Sequence, residues 1–184
     1  MTWYDLRKST SDITRNRINR APLPLLATGL PWLTIMLASM ANFSPIIASA
    51  PILPPIAYMM LLAWRMLRPG MLPVWAGLPL GLFDDLYSGQ PFGSGILLWS
   101  ATLLAMEVVD EQFRWRGFVG DWAVAGSLTT AYLFLCSTLA TLATGYLLPL
   151  VIAPQVLVSL VLYPVMTGIV ALLDRIRLIP LKRL

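Results

Sequence analysis

Nine acidic side chains and no histidine limit the chemistry available to this chain of 184 residues. Histidine is the commonest general base and metal ligand in proteins, so hydrolytic triads and histidine-based metal sites are excluded. The only cysteine, Cys136, lies inside an apolar run, where a buried structural thiol is expected and no disulfide within the chain can form. The sequence also has no glycine-rich phosphate loop, nucleophile elbow or metal-ligand cluster. It therefore predicts a non-enzymatic protein with no metal and no cofactor.

Asp84 and Asp85 are the two acidic residues in the most unusual setting, because both follow a long apolar run. On a helix that begins near Met71 they lie about 20 Å along its axis, within or near the outer leaflet of a membrane. A charged group there costs at least about 2.5 kcal/mol unless it faces water, a polar interior or a partner. One interpretation is an ion or substrate site. The other is that the helix ends at Phe83 and that the two acids cap the following turn.

Glu107 is a further acidic candidate, since a carboxylate pair with Asp84 would suggest acid–base chemistry. On antiparallel helices, however, Glu107 lies about 20 Å along its own helix from Gly93, near the opposite face of the membrane. The two acids are therefore not expected to meet. We expect Glu107, Asp110 and Glu111 instead to pair with basic residues at that face, namely Arg65, Arg68, Arg114 or Arg116.

The elements that position these residues are predicted to be membrane helices. Hydrophobic residues make up 58% of the chain and charged residues 12%, about half the charged fraction of a soluble domain. Six apolar stretches, each near the length of about 20 residues that a span requires, lie at about 21–41, 46–64, 71–87, 94–109, 122–146 and 155–173. In the second stretch, Pro51, Pro54 and Pro55 are expected to kink or delay the helix. The predicted fold is all-α, with six transmembrane helices.

The thirteen Lys and Arg residues set the predicted orientation. They fall in the two tails, in the 65–70 loop and in the 110–121 segment, whereas the other three turns contain none. Because short loops rich in Lys and Arg stay in the cytoplasm, both termini are predicted to be cytoplasmic. The chain then divides into a basic tail at 1–20, a transmembrane domain at 21–174 and a second basic tail at 175–184. Since the basic residues lie just outside the hydrophobic segments, no nucleic-acid partner is expected. The first tail is either an orientation signal or a docking segment for anionic lipid or a cytoplasmic protein.

Small residues indicate where helices approach one another closely. Gly77 and Gly81 form a G-x-x-x-G step in the third span, which lets another helix come near because no side chain intervenes. The fifth span carries a series of small or hydroxyl-bearing residues: Gly126, Ser127, Thr129, Thr130, Ser137, Thr138, Thr141 and Thr144. These residues fit either internal packing or contact with a second membrane protein.

The turn between the third and fourth spans reads PLGLFDDLYSGQPFG over residues 79–93. It resembles the G-x-x-x-D-x-x-x-G-x-P-x-G stretch of the MreD family of rod-shape-determining inner-membrane proteins. The matching residues are Gly81, Asp85, Gly89, Pro91 and Gly93, with Asp84 a second match to the acidic position. The last span, where Tyr163 and Pro164 are followed by a basic exit, is similar to the closing helix of that family, and these two residues are expected to contribute to helix packing.

The resemblance implies a non-enzymatic membrane scaffold of the bacterial elongation machinery that maintains rod shape. The partners it implies are the bitopic protein MreC, the actin-like MreB filament, the glycosyltransferase RodA with its partner transpeptidase, and the surrounding membrane lipids. The family is also similar in fold to the substrate-binding S components of energy-coupling-factor vitamin transporters. The alternative function is such a subunit. It would require a cavity lined with aromatic and polar side chains near Asp84, Asp85 and the Pro91–Gly95 turn.

Overall fold

The computed structural model describes residues 24–41, 53–112, 117–145 and 152–177, and within these ranges the chain is all-helical. The six α-helices are α1 (Pro24–Met40), α2 (Ile56–Leu67), α3 (Gly77–Tyr87), α4 (Ser94–Gln112), α5 (Phe118–Thr144) and α6 (Ile152–Arg177). A short 3-10 helix, Val74–Ala76, precedes α3. The predicted all-α fold is confirmed for this part of the chain. The first tail, the turn near 42–45 and most of the turn near 147–153 lie outside the described residues.

Two of the six helices are long and apolar enough to cross a membrane. These are α5 over Phe118–Ala143 and α6 over Ile152–Arg177, each with 26 residues in the qualifying segment. The helices α1 and α2 are shorter, with 17 and 12 residues, against the roughly 20 residues that a full span requires. The helix α4 has 19 residues, but its second half carries three acidic residues. Length and composition therefore give α5 and α6 a membrane-spanning character.

Prolines determine where α2 and α3 begin. The helix α2 starts at Ile56, directly after Pro54 and Pro55, so the predicted delay is confirmed for those two prolines, while Pro51 lies outside the described residues. The helix α3 starts at Gly77 rather than near residue 71. Extended backbone at Pro73 (φ −66°, ψ 156°) breaks the chain before that start. The third predicted span is consequently an α-helix of only 11 residues.

The end of α3 corrects one interpretation of the acidic pair. The helix continues past Phe83 to Tyr87, and the Ser88 N–H donates to the Asp84 carbonyl at 2.8 Å. The interpretation in which the helix ends at Phe83 and both acids follow it is therefore wrong. Asp84 and Asp85 lie in the last turn of α3, and both are buried.

The helix α2 lies at the centre of the bundle. All nine residues from Ala57 to Arg65 are buried, and α2 contacts α1, α5 and α6. A helix that is buried on all sides is apolar all round, which explains its lack of any polar face. Trp64 directly precedes the basic segment at 65–70, a position typical of interfacial aromatic residues. It is nevertheless fully buried, and its Nε1–H donates to Thr34 Oγ1 of α1 at 3.0 Å.

Salt bridges join the helices at one end of the bundle, which we call the ionic end. Arg65 of α2 pairs with Asp110 of α4 at 3.3 Å, as the sequence predicted for this group of residues. Arg68 instead pairs with Asp174 of α6 at 2.8 Å, and Asp174 also forms an ion pair with Arg177 at 2.9 Å. The other predicted basic partners, Arg114 and Arg116, lie outside the described residues.

The closest helix contact joins α3 to α4, and glycine makes it possible. A Cβ atom built on Gly81 would lie 2.5 Å from the Gly95 carbonyl oxygen, and one on Gly77 would lie 2.7 Å from the Ser100 Cα. Both neighbours are backbone atoms, which cannot move aside as the end of a side chain can. The G-x-x-x-G step therefore acts as predicted, letting two backbones meet without an intervening side chain.

Replacing Gly81 with alanine should destabilise the bundle. The added methyl group meets the α4 backbone, and overpacking of this kind typically costs about 1–3 kcal/mol. Gly168→Ala is the matched control, because this helical glycine of α6 has no atom within 4 Å of its built Cβ. Thermal unfolding in detergent, followed by circular dichroism, should show a lower melting temperature for G81A only. Equal melting temperatures for the two variants would contradict the close contact.

Candidate functional site at the α3–α4 turn

The Asp85 carboxylate accepts hydrogen bonds from the backbone at the beginning of α4. Its Oδ1 accepts from the Gly95 N–H at 2.7 Å, and its Oδ2 accepts from the Gly93 N–H at 2.9 Å and from the Ile96 N–H at 3.3 Å. The Ser94 hydroxyl also approaches Oδ1, at 3.5 Å. Asp85 thus caps the helix that follows it, across the turn, instead of capping its own helix.

This arrangement satisfies a requirement that every helix start has. The first N–H groups of a helix have no partner within it, and the partial positive charge at that end favours an anion. At a buried helix start the protein itself must supply the acceptors, because bulk water does not reach these groups. Asp85, which is 6% exposed, supplies both the acceptor atoms and the negative charge. A charged group that would be costly alone is stabilised here by three N–H groups.

The motif residues of the turn have separate geometric roles. Gly89 and Gly93 have φ angles of 66° and 95°, in the left-handed region that favours glycine. The Pro91 carbonyl accepts from the Ser94 N–H at 3.0 Å, which closes the chain into α4. Together with Gly81 and Asp85, these residues form one continuous unit that links the end of α3 to the beginning of α4. The structure brings all five matched motif positions together.

Asp84 has a different environment from its neighbour. It is 3% exposed, and its Oδ1 has no hydrogen-bond partner among the described residues. The Ser39 hydroxyl of α1 is close enough to interact with this carboxyl group, although neither Ser39 Oγ nor Asp84 Oδ1 makes a hydrogen bond of good geometry within the described residues. Burying an ionised carboxylate costs several kcal/mol even after relaxation of the surroundings, so an unpaired carboxylate oxygen inside the bundle is an exception.

A cavity of about 380 Å³ lies next to Asp84, between α2, α3, α5 and the beginning of α6. This volume is within the range of roughly 300–1,000 Å³ that small-molecule sites occupy. The polar residues in its wall are Tyr58, Asp84, Ser88, Gln90, Tyr132, Cys136, Ser137 and Gln155, and the remainder is apolar. The interior at this end is therefore not a solid apolar bundle.

Two tyrosines form the aromatic wall of the cavity. The rings of Tyr58 and Tyr132 are stacked with centroids 3.9 Å apart and an interplanar angle of 13°. The Tyr58 hydroxyl pairs with the Thr102 hydroxyl at 2.9 Å, which fixes the ring against α4. Cys136, one helical turn after Tyr132, donates its thiol hydrogen to the Gln90 Oε1 at 3.2 Å. Cys136 is buried, as the sequence predicted, and it also lines this cavity.

Sequence reasoning did not identify Tyr58, Tyr132, Gln90 or Gln155 as members of the site. The available signal was an aromatic residue with a polar tip inside each of two apolar helices, since a buried tyrosine usually needs a hydrogen-bond partner. Gln90 was noted only as a residue of the turn. Because these residues come from three helices and one turn, only the packing of the bundle could bring them together.

The remaining predicted residues lie away from the cavity. Glu107 lies near Arg65 and Asp110 at the ionic end, so it does not meet Asp84, as predicted. The Tyr163 hydroxyl donates to the Met66 sulfur at 2.9 Å and joins α6 to α2, whereas Pro164 lies on the exposed side of α6. Within the described ranges, no three His, Cys, Asp or Glu residues are placed to hold a metal ion. The site therefore consists of the capped turn and the adjacent cavity.

Asp85→Asn should reduce stability far more than Asp84→Asn does. An asparagine at position 85 keeps one acceptor oxygen but turns an amide group toward backbone N–H donors, and losing such charge-assisted hydrogen bonds costs about 1–3 kcal/mol. At position 84 the same substitution removes a buried charge without breaking a hydrogen bond. Thermal unfolding of both variants in the same detergent measures the difference. Equal losses would show that Asp85 has no special capping role.

The comparisons with known proteins do not extend the resemblance. No family model matches this sequence, and neither a curated protein nor a solved structure matches it. The likeness to the MreD family therefore depends on the motif residues of the turn and on the last helix. Functional conclusions must be drawn from the residues and their geometry.

Proposed function

We propose that this chain is a scaffold of the bacterial cell-elongation machinery in the inner membrane, with six helices that cross the bilayer and both termini in the cytoplasm. The observation that carries the proposal is the role of the motif. Gly81, Asp85, Gly89, Pro91 and Gly93 together build the α3–α4 turn. Asp85, the better match to the acidic position of the MreD family, is the acid that makes the capping contacts. The residues that match the family motif are thus the residues that build this one turn.

The distribution of basic residues in the bundle supports the proposed orientation. Arg65, Arg68, Arg175 and Arg177, the four basic residues in the described ranges, lie on the segments that form the ionic end. The turn capped by Asp85 is at the opposite end of α3 and α4 and carries no basic residue. Lys and Arg are retained on the cytoplasmic side of a membrane. The ionic end then faces the cytoplasm, where an MreB-type filament would lie.

An outward face of α5 is the surface that we assign to the partner helix. Ala123, Ser127 and Ala131 are exposed and follow one another at intervals of four residues, so they form one row along the helix. Small residues at this spacing let a second helix approach closely. A bitopic MreC-like protein contributes a single such helix. RodA and its partner transpeptidase would join the same assembly through the membrane.

Ser127→Leu should reduce the amount of MreC-like protein that co-purifies with this chain several-fold. The larger side chain holds the partner helix away, while the exposed position leaves the interior of the bundle unchanged. Ala101→Leu is the matched control, because Ala101 is also small and exposed but lies on α4. Depletion of the chain should in addition convert rods to rounded cells, and S127L should restore rod shape less well than A101L. Unchanged cell shape on depletion, with no detectable association, would overturn the proposal.

A second candidate function is the substrate-binding subunit of a vitamin transporter, and the cavity is the observation that favours it. Its wall contains two stacked tyrosines and several polar side chains, including Asp84, whereas Asp85 and the Pro91–Gly95 turn, which the sequence-based alternative also placed there, are not among its residues. If this function is correct, deletion of the gene should make growth depend on a high external concentration of one nutrient and leave rod shape intact. Measuring growth and cell shape in the same deletion strain separates the two candidates. Rounded cells with normal nutrient requirements would exclude the transporter.

A further inference from the structure

We propose that the cavity beside Asp84 is a binding site for a small organic amine, whose ammonium group donates to the Asp84 carboxylate. The proposal does not depend on whether the bundle is a scaffold or a transporter subunit. It depends on one unexplained group, the Asp84 carboxylate. Asp84 lines the cavity, and its Oδ1 is buried without a hydrogen bond of good geometry among the described residues. Asp85, one residue away, engages the α4 backbone and leaves Asp84 as the carboxylate that lines the cavity.

The charges around the cavity favour a cation. Among the described residues, its wall contains a carboxylate but neither lysine nor arginine. Asp84 also lies in the last turn of α3, where the backbone carbonyls add partial negative charge. The Ser88 Oγ, which belongs to the same wall, makes no hydrogen bond in the described part of the chain and can accept a second donor. An ammonium group, which carries three donors and a positive charge, satisfies both oxygens.

The rest of the wall defines the body of the ligand. The stacked rings of Tyr58 and Tyr132 offer an aromatic surface, and aromatic rings attract both cations and other rings. The wall also contains apolar residues, among them Leu53, Pro54 and Ile152. We therefore assign the site to an amine with an apolar or aromatic body. A carboxylate or phosphate ligand would be repelled by Asp84.

Three probes with the same indole body test which polar group the site recognises. They are tryptamine, with an ammonium group, tryptophol, with a hydroxyl group, and indole-3-propionate, with a carboxylate. Isothermal titration calorimetry of the full chain in detergent should show tryptamine binding most tightly, tryptophol weakly and indole-3-propionate not at all. Asp84→Asn should weaken tryptamine binding about tenfold or more, because the ionic hydrogen bond is lost. Glu107→Gln is the matched control, since it makes the same chemical change at an exposed position of the ionic end and should leave the affinity unchanged.

A second variant tests the cavity independently of the charge. Ala140→Leu narrows the wall without altering Asp84 and should also weaken tryptamine binding. Melting temperatures of all variants confirm that each is folded before titration. No tryptamine binding at millimolar concentration, equal binding to wild type and D84N, or equal binding of tryptamine and tryptophol would each overturn the proposal.

The same ammonium chemistry is present in a lipid headgroup, and the lipid environment distinguishes the two sources. Nanodiscs of phosphatidylethanolamine carry an ammonium group on each lipid, whereas nanodiscs of phosphatidylglycerol carry none. If tryptamine binds more weakly in phosphatidylethanolamine nanodiscs than in phosphatidylglycerol nanodiscs, the lipid headgroup competes for the site, and the site is assigned to that headgroup. Equal affinity in both nanodiscs assigns it to a free amine. Either result supports recognition of an ammonium group by Asp84.

Discussion

The capping of α4 by Asp85 is the interaction on which this end of the bundle depends. The beginning of a helix presents N–H groups that need acceptors, and within a bilayer only the protein can supply them. Asp85 provides those acceptors from the end of the preceding helix, and it can reach them because Gly81 lets the two backbones approach. Capping and close packing are therefore coupled. Neither a longer side chain at position 81 nor a neutral one at position 85 would preserve both.

This constraint also explains why two adjacent acids have different roles. Successive residues on an α-helix point about 100° apart. When Asp85 is fixed toward α4, Asp84 is directed away from that helix, toward the space between α2 and α5. The Asp85 carboxylate is thereby bound to the α4 backbone, whereas the Asp84 carboxylate lies at the cavity. The cavity and the capped turn are two results of the same helix rotation.

The bundle has chemically different ends joined by a buried central helix. At the ionic end, Asp174 binds two arginines and connects α2 with α6. At the other end, α2 begins after two prolines and contributes Tyr58 to the cavity. Between them α2 is buried along most of its length and packs against α1, α5 and α6. This asymmetry suits a protein anchored by charge on one side of a membrane and open to recognition on the other.

The sequence by itself determined the all-helical fold of the described residues, the late start of α2, the close approach at Gly77 and Gly81, and that acids at the end of α4 would meet basic residues at the same end. Each depends on local chemistry: apolar length, the missing N–H of proline, the missing side chain of glycine, or opposite charges near the same boundary. It could not determine the length of α3, the burial of Trp64 or the different environments of Asp84 and Asp85. Those depend on the rotation and packing of neighbouring helices, which bring together residues far apart in the chain. Only the tertiary structure could decide that one aspartate caps a helix while the next borders a cavity.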